Sequence, residues 1–255
     1  MELLDAMRGA RKDITIMELE DQVALVTAGT AGIGAEVARL LVREGAQVII
    51  SGRNAERGAK VVADIGGGSG QVRFIAADLG DLDSVRNLAD QAGEVDILVN
   101  NAAGFPTGLT VDQDVASFQT MFDTNVRATY FLTGLLAPAM LAKGRGSIVN
   151  VTTMGASMGV AGASGFSATK AALTSFTRSW AAEFSPQGVR VNSVAPAPTR
   201  TEGVLGEWGE RVEDLGKNLP LGRAAEIAEA ILFLASPRAS YVTGSTLAVD
   251  GATAI

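Results

Sequence analysis

Short runs of β-branched and aliphatic residues alternate along the chain with longer stretches in which apolar residues recur every three or four positions. Val23–Val26 is apolar throughout and is followed by Ile33, Val37, Leu40 and Leu41, which fall on one face of a helix. The same alternation predicts strands near 47–51, 72–76, 96–100, 147–152, 189–194 and 245–249, with helices in most of the gaps. Uninterrupted apolar strands belong in a sheet covered on both faces. The pattern therefore predicts an α/β fold, a single doubly wound domain with a mainly parallel sheet of about seven strands.

Two helical stretches are long, roughly 113–142 and 164–184, and Phe176, Trp180 and Phe184 form a stripe at spacing four. That spacing reads as core packing or a subunit contact. The segment 197–218, with Pro198, Gly203, Gly206, Gly209 and Gly216, breaks the rhythm and is expected to act as a lid. Residues 1–16 mix Glu2, Asp5 and Asp13 with Arg8, Arg11 and Lys12, and are expected to be an extension, leaving 17–255 as the domain.

Composition narrows the chemistry. The chain has 255 residues, 30 of them glycine, and a formal charge of -7, so its averaged surface repels nucleic acid and anionic membranes. Its longest apolar runs are of strand length, too short to span a bilayer, and no secretory segment stands at the N-terminus, so a cytoplasmic protein is expected. There is no cysteine and no histidine. Thiolate chemistry is excluded, the commonest general base and metal ligand is missing, and no metal site is expected. Proton transfer falls to carboxylate, Lys, Tyr or hydroxyl groups.

Between the first strand and helix lies Thr27-Ala28-Gly29-Thr30-Ala31-Gly32-Ile33-Gly34. Glycines there let the backbone turn tightly and approach a pyrophosphate, whose charge sits against helix N–H groups. The second strand ends in Ser51-Gly52-Arg53, the third is followed by Asp78-Leu79 and the fourth by Asn101-Ala102-Ala103. Further on come Asn125, Thr153, the segment Phe166-Ser167-Ala168-Thr169-Lys170, and Pro196-Ala197-Pro198-Thr199-Arg200-Thr201.

From about residue 19 to 251 this set resembles the short-chain dehydrogenase/reductase family, whose fold is a Rossmann domain binding a nicotinamide dinucleotide. The resemblance assigns cofactor contacts to Thr27, Gly29, Thr30, Gly32, Ile33, Gly34, Arg53, Asp78, Leu79, Asn101, Ala102, Lys170, Pro196, Thr199 and Thr201, with Thr201 approaching the nicotinamide carboxamide. Alanines 28, 103 and 197 stand where the family has glycine. Gly52 takes the place at which relatives that prefer NAD carry a carboxylate, and Arg53 can pair with a 2′-phosphate, so the expected cofactor is NADP(H).

The catalytic positions by resemblance are Asn125, Thr153, Phe166 and Lys170. The departure is Phe166, where the family has tyrosine. Its four-residue spacing to Lys170 puts both on one helix face, and the thirteen-residue step from Thr153 suits the family's Ser-to-Tyr interval. A phenyl ring has no proton to give, so reduction of a ketone, or the reverse alcohol oxidation, is expected to be impaired. Two other readings stay open: hydride transfer to an iminium ion or enone that needs no tyrosyl proton, and a dinucleotide-binding sensor or scaffold. The expected partners are a small carbonyl or alcohol substrate and further copies of the chain, as a tetramer or dimer.

Overall fold

The computed structural model describes residues 17–66, 71–209 and 221–254. Strand β1, Val23–Val26, leads into helix α1, Gly32–Arg43; β2, Gln47–Gly52, into α2, Ala55–Gly66; and β3, Val72–Ala76, into α3, Leu82–Ala92. After β4, Ile97–Asn100, come α4, Val115–Phe122, and α5, Ala128–Lys143. Then β5, Gly146–Val151, precedes α6, Ser164–Phe184, and β6, Val189–Pro196. A small parallel pair, β7, Thr199–Arg200, and β8, Gly222–Arg223, brackets α7, Glu202–Trp208. Helix α8, Ala224–Ala235, and β9, Thr246–Val249, complete the described elements.

Seven strands form one parallel sheet in the order β3-β2-β1-β4-β5-β6-β9. Alternate residues of each strand feed opposite faces: Ala24, Val26, Ile97 and Val99 pack with α1 and α8, whereas Leu25 and Leu98 pack with α3, α5 and α6. That two-sided burial is why the strands read as unbroken apolar runs. The chain order reverses between β1 and β4, so the loops leaving these two strands lie side by side and open a crevice at the sheet's carboxyl edge.

The expected strands are all present. Trp180 and Phe184 are buried among α3 and α5, and Phe176 stacks on Trp180 with ring centres 5.1 Å apart, so the stripe is core packing along most of its length. The stretch 113–142 is not one helix. A π turn, Asp123–Arg127, separates α4 from α5 and rotates Asn125 fully into the interior. Of the expected lid, 197–209 forms β7 and α7, while 210–218 lies outside the described residues, as does the expected extension 1–16. Among the described residues no helix is long and apolar enough to cross a membrane.

Candidate functional site

The loop after β1 and the loop after β4 are fastened to each other. Thr27 Oγ1 accepts from the backbone N–H groups of Asn101 and Ala102, each at 3.0 Å, and the Asn101 amide donates to the carbonyls of Thr27 at 2.9 Å and Ala28 at 3.3 Å. Gly29 N–H donates to Ser51 O at 3.0 Å, tying the same turn to β2. Thr27, Asn101 and Ala102 thus hold the glycine-rich turn in place. Asn100, one residue earlier, bonds Asn150 at 2.9 Å and Thr133 at 3.2 Å inside the core and supports the sheet.

The turn leaves no room for side chains. A Cβ on Gly34 would lie 2.4 Å from Ala28 O and 2.6 Å from the Asn101 amide nitrogen, and Gly32 has a φ of +52°. Ala28 adopts φ 51°, a left-handed conformation, whereas Ala103 and Ala197 are absent from the positive-φ residues. The alanine at 28 therefore bends as the glycine it replaces would. Helix α1 starts at Ala31 without a side-chain cap and has no acidic residue in its first turn, leaving its N–H groups open to an anion. A pyrophosphate fits this cradle.

At the end of β2 a side chain on Gly52 would press on Thr30 at 3.2 Å. Arg53 is exposed, Arg57 lies one turn further on, and both line the crevice with Asp78 and Leu79. Among the described residues that line the crevice, Asp78 is the sole carboxylate, and it accepts from Gly80 N–H at 2.9 Å.

The other end of the crevice is built by β5, α6 and the loop after β4. Lys170 is buried, and its Nζ donates to Val151 O at 2.8 Å and lies 5.8 Å from the centre of the Phe166 ring. Burial lowers its pKa to about 7. Thr153 follows β5, its Oγ1 making a long 3.4 Å contact to Pro196 O. Asn125 clamps Gly104, accepting from its N–H at 2.7 Å and donating to its carbonyl at 2.8 Å, and donates also to Thr169 Oγ1 at 3.1 Å. Thr169 precedes Lys170, so the π turn joins the β4 loop to the lysine's helix.

All the expected residues except Thr27, Gly29, Gly34 and Asn125 line one cleft of about 770 Å³; these four lie behind its walls and brace them. Thr199 Oγ1 donates to Ala197 O at 2.9 Å, and Thr201 caps α7 by accepting from Val204 N–H at 3.3 Å, its methyl against Gly32. Several lining residues had no expected role, Phe105 and Ser167 among them. Phe105 packs edge-on to Phe166, ring centres 6.1 Å apart, and the only hint was an aromatic following the Asn101-Ala102-Ala103 segment. Ser167 Oγ is buried beside Gly155 with no hydrogen-bond partner.

A parallel sheet whose glycine-rich first turn meets a buried lysine and a threonine across one crevice suits redox chemistry on a dinucleotide, and comparison with known proteins places the chain. It belongs to the short-chain dehydrogenase/reductase family of oxidoreductases: residues 27–252 match the family model described as Enoyl-(Acyl carrier protein) reductase. It is 36% identical over 248 residues to the 3-oxoacyl-[acyl-carrier-protein] reductase FabG of Chlamydia pneumoniae, covering 94% of this chain and 98% of that protein. It is 37% identical over 241 residues to the cis-4-hydroxycyclohexanecarboxylate dehydrogenase of Sinomonas cyclohexanicum, covering 91% and 96%. A solved structure described as a short chain dehydrogenase/reductase family protein superposes with a TM-score of 0.88 at 58% identity, covering 93% of this chain and 99% of that one.

Proposed function

We propose that this chain is an NADPH-dependent oxidoreductase acting on a small ketone, or on the corresponding alcohol in reverse, with turnover held down by Phe166. The observation that carries this reading is the Phe166 ring beside the Lys170 amine in a cleft whose dinucleotide end is fully formed. The cofactor, when bound, supplies or accepts the hydride. Thr30, Gly32, Ile33, Asn101 and Ala102 would hold its pyrophosphate side, with Thr27 and Gly34 shaping the turn behind them, and Asp78 and Leu79 would hold its adenine. Pro196, Thr199 and Thr201 would flank its other half. Arg53 would pair with the 2′-phosphate, for which no carboxylate at position 52 competes.

Thr153 offers its hydroxyl to the substrate oxygen, since its existing contact at 3.4 Å is weak. Lys170 holds the ribose, its amine already aimed by Val151 O. Asn125 keeps the Gly104 loop and α6 in register. Phe166 fills the place of a general acid but has no proton to give, so the proton on the product oxygen comes from solvent. General acid catalysis contributes roughly 10²–10⁴-fold, which is the turnover this chain forgoes. The exposed rings of Tyr130 and Phe131 and the side chain of Leu135 on α5 are proposed as the contact surface of a homo-oligomer, tetramer or dimer.

The test is Phe166→Tyr, followed by NADPH oxidation across a panel of ketones. We expect a rise of about 10²–10⁴-fold in kcat/KM with NADPH affinity unchanged. No rise on any ketone sinks the reading. Substantial turnover by the unaltered chain would favour iminium or enone reduction; tight NADPH binding with a silent Tyr variant would favour a sensor or scaffold.

A further inference from the structure

The substrate end of the cleft has an aromatic wall that the proposed chemistry does not use. Phe105 and Phe166 meet with their planes 62° apart, an edge-to-face pair. Phe105 is half-buried, so part of its ring remains open, and a Cβ on Gly203 of α7 would come within 3.4 Å of it. The α7 backbone at Gly203 therefore lies close to the tip of the ring and leaves its face, not its tip, for a ligand. Thr107, Met154, Val160 and Val204 also line this end, while Arg53 and Asp78 follow β2 and β3 and Arg57 lies on α2. Among the described lining residues Lys170 is the sole charged group here, and its ammonium faces Val151 O. An anionic substrate would find no second cation, whereas a flat apolar one meets two rings set at an angle, able to stack on one and touch the edge of the other.

We propose that Phe105 is a specificity-determining residue and that, with Phe166, it selects planar conjugated carbonyl compounds, aryl ketones or the matching benzylic alcohols, over saturated ones of the same size. This rests on the carbonyl-oxidoreductase reading above and names its substrate class. Calorimetric titration of the unaltered chain saturated with NADP⁺, which cannot reduce a ketone, gives a readout independent of turnover. Acetophenone should bind about 3- to 10-fold tighter than cyclohexyl methyl ketone, the range expected of one aromatic contact. Phe105→Leu should bring the two within about twofold while leaving the saturated ketone nearly unchanged, and Phe105→Met should do the same should the Leu variant fold poorly. Equal binding of both ketones by the unaltered chain, binding of neither, or a preference that survives in both variants overturns the proposal. Because Phe166→Tyr turnover is measured separately, a revived enzyme indifferent to ring saturation sinks only the aromatic wall. A chain that stays silent with every ketone sinks the reading beneath it.

Discussion

The two ends of the cleft differ in how completely their polar groups are used. At the dinucleotide end, Thr27 Oγ1 accepts two N–H groups and donates to Val99 O, and the Asn101 amide spans two carbonyls, with Ser51 Oγ the buried lining atom left without a partner. At the carbonyl end, Thr153 has a single long contact, Ser167 Oγ has none, and the residue facing Lys170 is a hydrocarbon ring. A satisfied network fixes its geometry before any ligand arrives. An unsatisfied one either waits for a ligand or has lost a function. The difference teaches that cofactor binding and carbonyl chemistry can separate within one fold, and substitutions at each end can test whether they have.

The largest expected change comes from restoring the hydroxyl. Phe166→Tyr should raise ketone reduction by about 10²–10⁴-fold while NADPH affinity, read by fluorescence titration, stays within about twofold. If both changed together, the two ends would be coupled and the comparison would fail. Next is Arg53→Gln. Charge-assisted hydrogen bonds of this kind are worth about 1.5–3 kcal/mol, so NADPH affinity should fall about 10- to 100-fold and NADH affinity hold, with Arg57 at the same corner limiting the loss. Equal weakening of both nucleotides would remove Arg53 from the 2′-phosphate.

Lys170 gives an effect that needs no ligand. Its pKa in the folded chain is about 7, below the ordinary 10.5, so over that interval the unfolded chain binds the extra proton. Stability should therefore be lowest below about pH 7 and grow as the pH rises towards the ordinary lysine value, by up to about 1.4 kcal/mol per pH unit. Urea unfolding at pH 7.5 and 9.0 should show the unaltered chain gaining about 2 kcal/mol that Lys170→Met does not gain. Parallel behaviour of the two proteins would mean that the ammonium is better solvated in the cleft than its burial implies.

Much of the sheet was legible because strands buried on both faces must be apolar throughout, and helices with one covered face must repeat every three or four residues. The glycine turn was legible for a related reason: Gly34 has no space for a Cβ, so sequence and geometry are locked together. The π turn at Asp123–Arg127 was not, since an inserted residue leaves the apolar spacing on either side nearly intact. Phe105 was not, because its significance lies in its contact with Phe166, 61 positions away. Nor were β7 and β8, which pair across two residues each and carry no periodicity.

The smallest effect separates the three alanines that replace glycines. Ala28 sits at φ 51°, where an L-residue is disfavoured by about 1–2 kcal/mol, whereas Ala103 and Ala197 do not take positive φ. Ala28→Gly relieves that cost and returns about 0.5–1 kcal/mol of chain entropy to the unfolded state, so a net gain of roughly 0.5–1 kcal/mol is expected. Ala103→Gly and Ala197→Gly relieve nothing and should lose roughly 0.4–1 kcal/mol each. In a chain of this size 1 kcal/mol shifts the melting midpoint by about 2–4 °C, which calorimetry resolves. If all three variants moved in the same direction, position 28 would carry no strain. Opposite signs would show that Ala28 holds its turn at a local cost that Ala103 and Ala197 do not carry.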